Sequence, residues 1–330
     1  MKQTMKNSKQ KFYLQQVIGA LMVMIGAVGF ASKAIIAKLM YRCGVDTTSM
    51  LTLRMLFSLP FFMAIVAYSH SRVQFTSQDK WLIPLMALIG YYLSSLLDFW
   101  GLQYVSAGLE RLILFIYPTI VVVLSAWWFK KKMFRRHYLA LGFTYMGIAI
   151  ALAHDFSING NLFWLGAGLI FLAAFTYSLY LIISGRLIPR LGSVVYISYV
   201  MLFASIPIFV QYGIAQPGSL WRFDKSVYQL SIWMAIASTV APALLTSEGI
   251  RRIGAANTAI VGSIGPVATI FLAYVFLDEP ISWWQLMGTV LVLVGVLMIT
   301  LPRPEVRRSH FADNGYVKEK RQLCQHELNA

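Results

Sequence analysis

The chain has 330 residues, of which 58% are hydrophobic and 12% are charged, and its mean hydropathy is +0.66. So little polar material could not cover a soluble globule of this size, and the composition therefore predicts an integral membrane protein. The formal net charge of +15 does not indicate a nucleic-acid partner, because the basic residues lie mostly in the tails and between apolar runs.

Ten apolar runs follow one another, each about 17 to 25 residues long, the length that crosses ~30 Å of hydrocarbon as an α-helix. A polar tail, residues 1–13, precedes the first run, residues 14–37, which is longer than the core of a signal peptide and ends without a cleavage site. The other runs lie near residues 51–69, 81–102, 106–129, 137–153, 161–184, 193–214, 230–249, 255–277 and 281–301. Residues 302–330 form a second polar, basic tail, which we expect to be disordered. The sequence predicts an all-α integral membrane protein with ten transmembrane helices.

The stretch at residues 101–118 recurs in degraded form 148 residues later, at residues 249–266. Matching pairs at this offset include Gly101 with Gly249, Ala107 with Ala255, Pro118 with Pro266 and Gly44 with Gly192. Because one gap-free offset also aligns the apolar runs, we interpret the chain as a tandem duplication with repeats at residues 14–153 and 154–301. Each repeat holds five predicted helices, an odd number, so the second repeat would enter the membrane inverted.

Lysine and arginine are distributed unevenly between the apolar runs. If the N-terminus is cytoplasmic, the outer segments hold only Lys38, Arg42, Arg222 and Lys225, and the other basic clusters between runs lie inside. The excess of positive charge in inner loops therefore places both termini in the cytoplasm. We expect a multi-pass protein of the inner, or plasma, membrane.

Two motifs carry a resemblance to a known family. They are YVSAGLERLILFIYP in the first half and GIRRIGAANTAIVGSIGPVATIFLAYVFLDEP in the second, followed by a Gly-containing last helix. The chain resembles the drug/metabolite transporter superfamily, in its EamA-type branch of ten-helix carriers, over residues 14–301. The acidic turn at residues 277–280 departs from symmetry, since Lys130, Lys131 and Lys132 occupy the equivalent place in the first half. The resemblance implies alternating-access transport of small metabolites, amino acids or drugs.

Five ionisable side chains fall inside the predicted spans of the first repeat, where each one is costly to insert. Counting the rise along each helix puts all five in the outer third of the membrane. They are Lys33, Arg54, Asp98, Glu110 and Arg111, and none has an ionisable counterpart 148 residues later. We interpret them as part of a substrate or coupling site.

Each of these residues also has a purely structural interpretation. Lys33 and Arg54 lie close enough to a helix end to snorkel toward the headgroups. Glu110 and Arg111 could instead cap the fourth helix, where an acid near the N-terminus is favourable. Asp98 cannot snorkel far, and it shares one helix face with Tyr91 and Ser94.

Further candidates for the substrate site carry hydroxyl groups within the spans. They are Tyr117, Tyr177, Ser238 and Thr239. The alternative for hydroxyls at helical spacing is hydrogen bonding between helices. Pro118 and Pro266 interrupt the fourth and ninth helices at matching positions, and such paired interruptions indicate a binding site near the middle of the membrane.

Charged residues at the ends of helices also predict gates. Glu248, Arg251 and Arg252 lie at the predicted inner ends of the eighth and ninth helices, whereas Asp98 and Glu110 lie near the outer turn of the first repeat. We expect acid–base contacts among such groups to close each face in turn, which alternating access requires. The alternative is that the two arginines merely follow the positive-inside rule.

Small residues form two further sets, Gly142 with Gly147 and Gly288 with Gly295. Close packing of helices is the first interpretation of these glycines. The second is the interface of a homodimer.

These observations favour a carrier over an enzyme or a scaffold. No catalytic residue, metal site or cofactor is expected, and the absence of a Walker A motif argues against ATP as the direct energy source. Three cations outnumber two carboxylates, which predicts export of a zwitterion or organic anion, such as an amino acid. Multidrug or cation efflux is the alternative, favoured by the aromatic content of 14%. Coupling to protons through Asp98 or Glu110 stays open, because desolvation and nearby cations act on proton affinity in opposite directions.

Overall fold

The computed structural model describes residues 2–69, 75–128, 130, 135–159, 162–215, 220–262 and 264–300. The helices are α1 (Lys2–Arg42), α2 (Thr47–Ser69), α3 (Asp79–Leu102), α4 (Ala107–Trp128), α5 (Arg135–Asn159), α6 (Leu162–Leu191), α7 (Ser193–Ala215), α8 (Lys225–Ala235, continued by Ile236–Val240 and Ala241–Gly262), α9 (Ile264–Leu277) and α10 (Trp283–Thr300). Seven are long and apolar enough to cross a membrane, and α5, α9 and α10 contribute shorter apolar stretches. The prediction of an all-α membrane fold is confirmed.

Helix α1 begins at Lys2, so the backbone of residues 2–13, predicted as a cytoplasmic tail, is helical and continuous with the first span. Lysine, glutamine and methionine favour helix, and no glycine or proline occurs before Gly19. The predicted tail at residues 302–330 lies outside the described residues.

One predicted boundary is wrong, the turn expected between residues 249 and 255. Helix α8 runs unbroken through this stretch to Gly262, whereas α3 ends at Leu102 and α4 begins only at Ala107. The first repeat has Ser106 as an N-cap, whose Oγ accepts a hydrogen bond from the amide of Leu109 at 3.2 Å. The equivalent position in the second repeat is Gly254, which has no side chain to cap a new helix.

The backbone reproduces the 148-residue repeat at its irregular points. A π-helical turn begins at Leu88 in α3, and another begins at Ile236 in α8. The residues with positive φ form two pairs at the same offset: Gly44 (75°) with Gly192 (80°), and Lys130 (50°) with Asp278 (58°). All three matches have the spacing of the sequence repeat, so the two halves share their departures from regular helix as well as their apolar runs.

Helix packing follows the same symmetry. Helix α1 packs on α8 and α9, and its counterpart α6 packs on α3 and α4. Helices α2 and α7 contact each other, as do α5 and α10. Gly147, Gly288 and Gly295 lie at the contact between α5 and α10, where an added Cβ would meet the backbone of the other helix. This supports the packing interpretation for three of the four glycines, while Gly142 has no neighbour that a Cβ would touch.

Candidate functional site

A cavity of about 390 Å³ lies between the two repeats and is lined by residues from both. It brings together nine of the eleven residues predicted for the substrate or coupling site: Lys33, Arg54, Tyr91, Ser94, Asp98, Arg111, Tyr117, Tyr177 and Thr239. The two others, Glu110 and Ser238, are not among the residues that line it. The cavity size is within the range of small-molecule sites, roughly 300–1,000 Å³.

Lys33 joins three helices at one side of the cavity. Its ammonium forms an ion pair with Asp98 of α3, and Glu110 Oε1 of α4 lies 3.6 Å from its Nζ. The ring centroid of Phe99 is 5.3 Å from the same nitrogen. Both carboxylates are buried, with Glu110 fully enclosed. Lys33 therefore points into the protein, and the snorkelling interpretation does not describe it.

Arg54 is also directed inward. Its side chain is buried, its Nε donates to Thr239 Oγ1 at 2.9 Å, and its guanidinium carbon lies 5.7 Å from the centroid of Phe99. Thr239 belongs to the π-helical turn of α8, so this bond links the two repeats. The bond rules out snorkelling for Arg54 as well.

Neither Glu110 nor Arg111 caps α4. Ser106 caps the helix, as described above, and both carboxylate oxygens of Glu110 are buried without a hydrogen-bond partner. The Nε of Arg111 is likewise buried without one. Arg111 faces the cavity next to Gly265 of α9, where an added Cβ would lie 3.3 Å from its Nη2. These two groups thus carry polar atoms that the described part of the protein leaves unsatisfied.

Aromatic and hydroxyl side chains complete the lining. The rings of Tyr117 and Tyr177 meet edge to face with centroids 5.3 Å apart. Ser94 donates to the carbonyl of Ala173, which fastens α3 to α6. Ser238 does not line the cavity, because its hydroxyl is 3.0 Å from that of Ser32 in α1. Among the predicted hydroxyls, Ser238 therefore has the helix-to-helix role that was the alternative interpretation.

The predicted inner gate residues contact one another on a single helix. Arg251 binds Glu248 through two nitrogens at 2.6 and 2.7 Å, and Arg252 Nε lies 2.7 Å from the same carboxylate. All three lie within α8, not in a turn. Spacings of three and four residues bring side chains together on one helix face, so these ion pairs connect no two helices.

Two ion pairs that the sequence did not predict do connect helices. Asp79, buried at the start of α3, is bound by Arg190 near the end of α6. Glu279, after α9, accepts from the amide of Ala107 at 3.0 Å and lies 3.3 Å from Lys38 Nζ. The sequence shows Glu279 beside Pro280 after an apolar helix, but the partners of Glu279 come from distant segments of the chain. Among the described side chains, no group of three or more His, Cys, Asp or Glu is placed to hold a metal ion.

Comparison with known proteins identifies the family. The model of the EamA-like transporter family matches residues 17–153 and 164–301. The chain belongs to this family. The EamA-like family model therefore covers both of the five-helix repeats that line the cavity, and the predicted membership of the drug/metabolite transporter superfamily is confirmed.

Curated relatives of this EamA-like chain are named as transporters. The uncharacterized transporter YcbK of Bacillus subtilis is 31% identical over 293 residues, which cover 86% of this chain and 93% of YcbK. The uncharacterized inner membrane transporter YicL of Salmonella typhimurium is 22% identical, with coverage of 86% and 95%. A solved crystal structure with 16% identity superposes with a TM-score of 0.59 over 85% of this chain and 95% of its own, and so shares the fold. The protein is a membrane-embedded, multi-pass transporter.

Proposed function

We propose that this transporter is a secondary carrier that exports a small carboxylate-bearing metabolite, an amino acid or a related zwitterion or organic anion. The observation that carries the proposal concerns the ion pairing of Arg54 and Arg111. Both guanidinium groups line the cavity, and no carboxylate of the described residues forms an ion pair with either. Lys33, in contrast, already has acidic partners.

A buried cation without a counter-ion is unfavourable, because little water remains to solvate it. A ligand carboxylate would remove this cost, and a guanidinium can hold one through two parallel hydrogen bonds. The two arginines come from α2 and α4, and Arg54 is fixed by Thr239 of α8. A carboxylate bound there would touch both repeats, as a substrate of an alternating-access carrier should.

The rest of the cavity suits the remainder of such a ligand. Tyr91, Tyr117 and Tyr177 provide rings with polar tips, and Thr246 and Thr258 add hydroxyls. Cavities of this kind combine an apolar wall with a few polar groups that fix the orientation of the ligand. Movement between faces would use the interruption of α4 near Pro118. We expect the carrier to lie in the inner membrane with both termini in the cytoplasm.

Export from growing cells tests the proposal. Cells that produce the wild-type chain should release one or more amino acids or related acids into the medium, at levels well above cells without it. The variants Arg54→Gln and Arg111→Gln should lose this release, since loss of a hydrogen bond to a charged group costs about 1.5–3 kcal/mol, or roughly 10- to 100-fold in affinity. Arg222→Gln is the matched control, because Arg222 is exposed and away from the cavity.

Two results would contradict the proposal. One is an unchanged extracellular metabolite profile with protein present in the membrane. The other is strong, Asp98-dependent resistance to quaternary ammonium dyes, which would favour cation efflux instead.

A further inference from the structure

The ammonium of Lys33 occupies a site that has the composition of a receptor for an alkylammonium group. A carboxylate from Asp98 contacts it, a second from Glu110 lies 3.6 Å away, and the ring of Phe99 is 5.3 Å from it. Carboxylates and aromatic faces are the groups with which proteins bind organic ammonium ions. Lys33 comes from α1, whereas the three surrounding residues come from α3 and α4.

Lys33 does not satisfy all the hydrogen-bond acceptors of this site. Asp98 Oδ1 and both oxygens of Glu110 are buried and have no hydrogen-bond partner. Only 3% of Asp98 and none of Glu110 is exposed. Buried carboxylate oxygens normally accept hydrogen bonds, because their desolvation is otherwise uncompensated. The site therefore has more acceptor capacity than the single lysine uses.

The side of the cavity that we propose to bind a carboxylate, at Arg54 and Arg111, lies next to this site. Arg54 lies 5.7 Å from the centroid of the same Phe99 ring, and its Nε donates to the neutral hydroxyl of Thr239. An α-amino acid carries an ammonium and a carboxylate separated by a single carbon. A site for each therefore has to lie close to the other, and Lys33 Nζ and the Arg54 guanidinium carbon lie 5.3 and 5.7 Å from the centroid of the same Phe99 ring.

We infer that Lys33 is a tethered substitute for the ammonium group of the ligand. In the empty carrier its Nζ occupies the cation subsite of Asp98, Glu110 and Phe99, and a bound ligand's primary ammonium displaces it. This inference rests on the proposed function, because it assigns the second half of the same substrate.

A consequence concerns the mode of transport. A carrier with two bare carboxylates in its core would have to move them through a dry intermediate each time it returned empty. With Lys33 in the subsite, the empty carrier keeps these charges compensated and can reorient without a ligand. On this inference we expect the wild-type protein to perform net transport in addition to exchange of one substrate molecule for another.

Chemical rescue by methylammonium tests the subsite without knowledge of the substrate. The full chain is purified as wild type, Lys33→Ala and Lys33→Ala/Asp98→Asn, and the midpoint of thermal unfolding is measured against methylammonium chloride at constant ionic strength. Lys33→Ala should unfold at lower temperature than wild type. Methylammonium should raise its midpoint by several degrees with saturation, sodium should not, and the double variant should show no such rise.

Lys38→Ala is the matched control. Lys38 is also paired with one carboxylate, Glu279 at 3.3 Å, but it is more exposed, and the described residues give it no cation–π contact. Methylammonium should leave its midpoint unchanged. If Lys33→Ala yields no folded protein in plain buffer, the yield of monodisperse protein purified in methylammonium replaces the midpoint as the measured quantity.

The inference is overturned if methylammonium fails to stabilise or recover Lys33→Ala, or if it acts equally on the double variant. This result is separable from the test of the proposed function. A carrier of some other metabolite would fail the amino-acid export experiment and still respond to methylammonium. An amino-acid exporter without the displaced lysine would pass the export experiment and fail this one.

Discussion

At the scale of single residues, the acidic pair beside Lys33 is where we expect any coupling of transport to protons. Asp98 lines the cavity, whereas Glu110 is not among the residues that line it and is fully buried. Both carboxylates share one lysine, so a change of protonation at either alters the charge that the ligand meets. Asp98 is the residue that a proton and a ligand can both reach.

We therefore expect Asp98→Asn to abolish transport driven by a pH gradient. The asparagine cannot carry a proton, although it is close in shape and retains hydrogen-bonding groups. Flux of the exported metabolite would be measured in proteoliposomes with an imposed pH difference, for wild type, Asp98→Asn and Glu110→Gln. If both variants respond to the pH difference as wild type does, protons are not the coupling ion.

At the scale of helices, each of the two π-helical turns contacts the equivalent helix of the other repeat, but the side chains at the two contacts differ. In the first repeat, Gly90 of α3 lies against the Tyr180 ring of α6, so closely that an added Cβ would overlap the ring. In the second repeat, the equivalent positions are Ser238 of α8 and Ser32 of α1, with their hydroxyls 3.0 Å apart. The equivalent helix crossing is thus filled by a glycine and a tyrosine in the first repeat, and by two serines in the second.

This complementarity makes Gly90→Ala destabilising, by about 1–3 kcal/mol for an overpacked core position. The double variant Gly90→Ser/Tyr180→Ser copies the pair from the other repeat and should recover part of the loss. Thermal unfolding of the purified protein measures both effects. Gly168→Ala is the control, since Gly168 is helical and no atom lies where its Cβ would be placed. Helix propensity alone favours alanine over glycine at both positions, so equal effects of the two alanine variants would show that the Tyr180 contact does not make Gly90→Ala destabilising.

The sequence predicts the depth of a side chain in the membrane better than the direction in which the side chain points. Depth in the membrane follows from counting residues along a helix, and it placed Lys33, Arg54 and Asp98 at one level, where the structure brings them together. The direction in which a side chain points around the helix axis depends on packing. Ser238 lies within a predicted span but faces Ser32, and the Arg190 partner of Asp79 is 111 residues away in the chain. No local pattern contains such pairings.

At the scale of the whole molecule, two ion-pair clusters of the described residues, besides that of Lys33, lie at different ends of the predicted spans. Asp79 with Arg190 joins α3 to α6 at the end assigned to the cytoplasm. Glu279 joins the end of α9 to Lys38 of α1 and to the amide of Ala107 at the start of α4, at the end assigned to the outside. Both clusters connect the two repeats, so they are better placed to act as gates than Glu248 with its local arginines.

We expect Asp79→Asn and Glu279→Gln to change access to the cavity in opposite directions. The reporter is Ser95→Cys, a cavity position, in a background with Cys43 and Cys324 replaced by serine. Labelling by an impermeant thiol reagent added from either side should rise on the inner side for Asp79→Asn and on the outer side for Glu279→Gln. Glu248→Gln is the control and should change neither. A shift in the same direction for both, or a large effect of the control, would contradict this assignment.

The shared backbone irregularities bear on the history of the protein. The π-helical turns at Leu88 and Ile236, and the left-handed residues at Lys130 and Asp278, occupy matching places with unlike side chains. A left-handed lysine or aspartate is an uncommon conformation, and two such residues at one offset are most simply inherited from a single ancestral copy. The bends in the chain therefore predate the duplication. The charges do not show this inheritance, since Lys33, Asp98 and Glu110 have no ionisable counterparts in the second repeat. The frame of the cavity is thus common to both repeats, whereas the charged side chains that line it among the described residues all come from the first repeat.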